Sequence, residues 1–115
     1  MSPKPPRGRN RQRDAARTAA FRVLRAVSAD GAYANLELTR RRAGLAPADA
    51  GFATELVSGT CRALGSYDQI IERAAGRPVR SLQPAVVDAL RLGTHQLLAM
   101  RVPTHAALST TVDLA

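Results

Sequence analysis

From Phe52 to Ala74, the residues Phe52, Leu56, Thr60, Ala63, Tyr67, Ile70 and Ala74 return every three or four positions, all on one side of a helix. So long a helical stripe commits the middle of the chain before anything else is read. The supply of apolar side chains points the same way. Of 52 apolar residues 22 are alanine and only four are aromatic (Phe21, Phe52, Tyr33 and Tyr67), a mixture that favours helices over sheets. At 115 residues there is room for one domain, and a chain of that size buries roughly two thirds of its unfolded surface.

The remaining segments read as helices too. Asp14 is placed to cap a first helix, with Ala16, Ala20, Val23, Leu24 and Val27 on its apolar face, Arg22 and Arg25 on its back, and Asp30-Gly31 as its stop. A short helix covers Asn35 to Ala43, anchored by Leu36 and Leu38 and closed by Gly44. One helix is expected from about 48 to 75, bent at Gly65, because Gly65-Ser66 interrupts the composition without breaking the phase. A fourth runs from Pro84 to about Met100, apolar over half its circumference through residues such as Val87, Leu90 and Leu98, with Asp88, Arg91 and His95 on its wet side. Asp88 and Arg91 can pair there at i,i+3. A fifth opens at Pro103, carries Leu108 and Val112, and is still in phase at Ala115, so the chain is expected to be a domain cut from a longer protein. The fold class is therefore all-α, a bundle of about five or more helices over 14–115, with a disordered Arg/Pro-rich arm over 1–13.

Charge narrows the function. The formal net charge is +8, 16 of the 17 basic residues are arginine, and Lys4, Arg7, Arg9, Arg11 and Arg13 stand in the first 13 residues without one acid. A basic arm on a mildly basic body suits a nucleic-acid binder. Guanidinium forks along Arg7, Arg9, Arg11, Arg13, Arg17, Arg22 and Arg25 can track a phosphate backbone, and Arg40, Arg41, Arg42, Arg77 and Arg80 supply a second patch if the fold brings them near. About six contacts to single-stranded RNA give a slope of log affinity on log salt of roughly −4. With Tyr33 as the one aromatic expected at a helix edge, recognition is expected to read backbone or shape rather than sequence.

Catalytic and metal chemistry find little support. His95 and His105 lack the spacing of a ligand pair, Cys61 reads as a small buried helical residue, and no glycine-rich phosphate loop is present. No apolar run is long enough to span a bilayer, and a single cysteine fits a reducing cytoplasm.

Four motifs in order carry a family resemblance: Tyr33-Ala34-Asn35-Leu36, Ala53 to Thr60 (ATELVSGT), Leu90 to Leu98 (LRLGTHQLL) and Val102 to Ala107 (VPTHAA). Together, over about residues 15–115, they resemble the NusB-like N-terminal domain of the ribosomal RNA 5-methylcytosine methyltransferase RsmB (Sun/Fmu) family. The free antitermination factor NusB shares the layout, but its closing helix reads nearer to V-x-I-N-E than Ala106-Ala107-Leu108-Ser109-Thr110-Thr111 does. The resemblance implies a helical RNA-binding domain that helps position small-subunit ribosomal RNA, with no cofactor of its own. A following catalytic domain, absent from this chain, would bind S-adenosylmethionine and supply two cysteines; Cys61 is not preceded by Pro and matches neither. In that family an Arg-rich N-terminus meets RNA, which maps by position onto Arg7, Arg9, Arg11, Arg13 and Arg17, whereas Glu55 and His105 fall in the scaffold. Two other readings stay open: a stand-alone antitermination factor, and a protein–protein docking bundle whose arm serves only solubility.

Overall fold

The computed structural model describes residues 7–104, 106, 107 and 114, with side chains from Arg13 onward. Among the described residues run α1 (Arg7–Asp30), α2 (Ala34–Arg42), α3 (Pro47–Arg62), α4 (Leu64–Ala75) and α5 (Pro84–Leu98), with a 3-10 turn at Val79–Ser81. No strand occurs among the described residues, so the all-α class holds.

The core forms where the apolar stripes of four helices meet. Ala20, Val23 and Leu24 of α1 pack with Leu38 of α2, Leu56 and Val57 of α3 and Leu92 of α5, and Phe21, Val27, Phe52 and Met100 close over them. Alanines at 16, 19 and 20 leave α1 thin on this side, and α2, α3 and α5 all pack against it. Gly31 ends α1 in the left-handed region (φ +68°), where a side chain would be strained. Thr104, Ala106 and Ala107 are helical, and the Ala106 and Ala107 N–H groups donate to the Pro103 carbonyl at 3.0 and 3.1 Å, so a helix opens where expected. Leu108, Val112, Ala115 and His105 lie outside the described residues.

Several expectations need correction. α1 starts at Arg7, seven residues before Asp14, because Arg and Gln are good helix formers and nothing after Gly8 stops a helix. Residues 1–6 lie outside the described residues. The stretch 48–75 is two helices, broken at Ala63 (φ −108°, ψ 18°) rather than bent at Gly65. The break redirects α4 so that Tyr67 and Asp68 reach α5, while α3 stays on α1. Leu36 is exposed and Leu38 alone anchors α2; likewise Leu98 is exposed at the end of α5. The supposed wet side of α5 is buried: Asp88 and His95 are 1% and 3% exposed, because α1, α3 and α4 enclose that helix.

Candidate nucleic-acid interface

The arginines of α1 divide into three groups along its length. Arg7, Arg9 and Arg11 lie on its first turns, their side chains outside the described residues. Arg13 and Arg17, one turn apart, are committed to the fold. Both guanidinium groups lie over the Phe52 ring of α3, at 4.3 and 5.4 Å from its centroid, a cation–π pairing. Arg13 also faces the buried Asp49 at 3.6 Å, and Arg17, itself buried, donates to Gln96 Oε1 of α5 at 2.7 Å and to Asp14 at 3.0 Å. Gln96 completes this link by donating to the Leu92 carbonyl. Arg17 is thus an internal tie and presents little to a phosphate.

Arg25 meets a second polar network. Asp88 accepts from Arg25 at 2.8 Å, from Arg91 at 2.9 Å and from Ser28 at 3.1 Å, and Arg91 forks onto both oxygens of Asp68 of α4 at 2.7 Å each. The bonds from Asp68 and Asp88 raise the Arg91 pKa further, against the opposing pull of burial. The expected Asp88–Arg91 pair is present, and three helices are joined through it.

Around the C-terminal half of α1 the fold gathers arginines distant in sequence. One cleft of about 350 Å³ opens between α1, the 3-10 turn and the start of α5, with Arg25, Arg80 and Arg91 on its walls and Val79, Leu82 and Val87 as its apolar lining. A second, of about 310 Å³, lies between α1 and the end of α2, lined by Arg22, Arg25, Arg41 and Asp30 over Ala26 and Ala29. Arg25 and Ala29 line both. Arg22 and Arg80 are exposed and have no ion-pair partner among the described residues. Arg41 and Arg40 sit 3.7 and 3.3 Å from Glu37, exposed pairings that restrain a side chain weakly. Of the rest, Arg42 reaches Thr54 across the α2–α3 loop, and Arg77 folds back onto Ser81. Of the second set, Arg41 at the end of α2 and Arg80 in the 3-10 turn thus stand beside the C-terminal half of α1, and Arg7 to Arg25 span about 27 Å along that helix.

The motif residues meet elsewhere and build scaffold. His95 Nδ1 and the Tyr67 hydroxyl share a hydrogen bond of 2.7 Å, and Nε2 faces Glu55 Oε1 at 3.4 Å without the alignment of a hydrogen bond. A Cβ at Gly59 would fall on the His95 ring, so only glycine lets α3 and α5 approach here. Burial lowers the His95 pKa below its ordinary value, outweighing the opposing pull of Glu55, and burial likewise raises that of Tyr67. Cys61, expected inside, is exposed; partial desolvation of its sulfur nonetheless holds the thiol pKa up, which disfavours a thiolate nucleophile. No group of three metal-ligating side chains occurs among the described residues, and none of their helices is long and apolar enough to cross a membrane. Sequence reasoning missed Asp88 as the hub of a network; the Asp88–Arg91 spacing on a helix with so wide an apolar face was its only signal.

Comparison with known proteins gives a consistent answer. The chain is 53% identical over its whole length to a Mycobacterium tuberculosis protein named as a putative methyltransferase, and it covers 26% of that protein. A Synechocystis protein carrying the name ribosomal RNA small subunit methyltransferase B is 36% identical over 87% of this chain and 23% of its own length. Ribosomal RNA small subunit methyltransferase B of Escherichia coli O157:H7 is 37% identical over 56% of this chain and 15% of its own. The chain thus spans about a quarter or less of these relatives. No solved structure matches it. The NusB family model matches residues 14–115, and the chain belongs to the NusB family.

Proposed function

We propose that this chain is the RNA-binding accessory domain of a ribosomal RNA cytosine-5 methyltransferase, and that it helps position the RNA for a catalytic domain carried by the rest of a longer protein. The observation that carries the reading is that Arg22, Arg41 and Arg80, exposed and far apart in sequence, line two clefts that share Arg25 and Ala29 of α1. The names of two relatives give methyl transfer onto small-subunit ribosomal RNA, and in this reading S-adenosylmethionine is the donor in the whole protein.

The test is a titration of the chain with small-subunit ribosomal RNA across a salt series. Binding whose log affinity falls with log salt supports the reading; absent or salt-insensitive binding removes it. Docking of another protein part is the second reading, favoured by Ile70 and Leu98, which stand exposed on α4 and α5. It becomes the better account if RNA binding is absent.

A further inference from the structure

We propose that the apolar groove between α4 and α5 is the seat of a helix carried by the rest of the longer protein, which lays an uncharged aliphatic stripe into it. The inference rests on the reading that this chain is part of a longer protein, and it adds where that protein holds the domain. Ile70, Ile71, Ala74 and Ala75 of α4 and Leu90 and Thr94 of α5 line an open groove of about 320 Å³. No charged side chain lines it, and Thr94 donates its hydroxyl to the Leu90 carbonyl at 2.8 Å. Ile70 in its wall and Leu98, one turn beyond Thr94, are 44% and 62% exposed.

The spacing is that of a helix seat. Ile70 and Ala74 stand four residues apart on α4, as do Leu90, Thr94 and Leu98 on α5. Rows at i±4 are the ridges between which a third helix lays its own. Alanine and threonine at 74, 75 and 94 are small, so another backbone can come close. The other sides of α5 are taken. Asp88 and Gln96 meet Arg25 and Arg17 of α1, Arg91 meets Asp68 of α4, and His95 meets Tyr67 of α4 and Gly59 of α3.

Three observations select the occupant. The chain spans 26% and 23% of two relatives, so about three quarters of each lies outside the part that matches. In a longer protein of that kind a tethered helix meets the groove at high effective concentration. A second copy would bring a net charge of +8 against the same charge, and the exposed Arg73 and Arg77 follow Ile70 and Ala74 by three residues, on neighbouring positions of the helix surface. RNA finds no cation in the groove for its phosphates, and the groove shares no lining residue with the clefts beside α1. The helix and RNA therefore do not compete for the same residues.

Backbone hydrogen exchange over residues 69–75 and 90–98 is measured in the 115-residue chain and in the full-length gene product. Exchange in these segments is expected to be about tenfold slower in the longer protein. The variant Ile70→Gln/Leu98→Gln keeps good helix formers at two exposed positions. It is expected to leave the exchange and circular dichroism of the 115-residue chain unchanged and to cancel the protection in the longer protein. Equal exchange in the two proteins overturns the proposal, as does protection that survives the double variant. Protection in the 115-residue chain that grows with its concentration overturns it in favour of a second copy. Titrating the longer protein with ribosomal RNA separates this inference from the function: protection without RNA binding keeps the groove and removes the function, and RNA binding without protection does the reverse. A gene product no longer than this chain overturns both.

Discussion

Two glycines in adjoining helices carry opposite consequences for one substitution. Gly59→Ala would place its Cβ on the His95 ring, forcing α3 and α5 apart, and is expected to cost about 2 kcal/mol or more. Gly65→Ala meets nothing within 4 Å in α4 and is expected to stabilise by about 0.5–1 kcal/mol through the loss of chain entropy in the unfolded state. Denaturant unfolding of the two variants checks both signs. His95 makes the fold sensitive to pH. Burial lowers its folded pKa, so at mildly acidic pH the unfolded chain binds a proton that the folded chain refuses. Stability therefore rises with pH up to about 6.5, the ordinary histidine value, and is lost on acidification below it. The thermal midpoint is expected to fall between neutrality and about pH 5.5, and to fall less in His95→Gln. An equal fall in both would remove His95 as the cause.

At the scale of elements, α5 is held by charge as much as by Leu92. Its Asp88 takes bonds from α1 and from its own Arg91, which in turn clamps α4. Asp88→Ala leaves Arg25 and Ser28 without that acceptor and is expected to cost about 3 kcal/mol, the lower end for a broken buried pair because Arg25 is partly exposed. Leu56→Ala, at the centre of the core, is expected to cost about 2–5 kcal/mol. Equilibrium unfolding measures both, and a cost near zero for Asp88→Ala would show that the network adds nothing to the joining of these helices. Periodicity located the helical segments, since α1, α3, α4 and α5 bury residues recurring at 3.6-residue spacing, but it read α3 and α4 as one helix. It could not locate the break at Ala63, because phase continues through Gly65-Ser66 and the bend answers to partners on α5.

For the whole molecule, the distribution of arginines decides what a polyanion meets. Arg7→Gln, Arg9→Gln and Arg11→Gln together keep good helix formers on α1 while removing three charges. If they meet single-stranded RNA, the salt slope is expected to flatten by about 2, with helicity unchanged; an unaltered slope would exclude these turns from the interface. Some of this could be read from composition and spacing alone. An alanine-rich chain with 3.6-residue stripes has little choice but to pack helices, and a net charge of +8 favours an anionic partner whatever the fold. Which cations remain available was settled only in three dimensions. Arg17 and Arg22 are alike on the page, yet one is tied to Gln96 and Phe52 inside the protein and the other stands at a cleft. The reason is physical: helical periodicity follows from each segment's own geometry, whereas the partner of a long charged side chain depends on which other helices the packing brings within its reach.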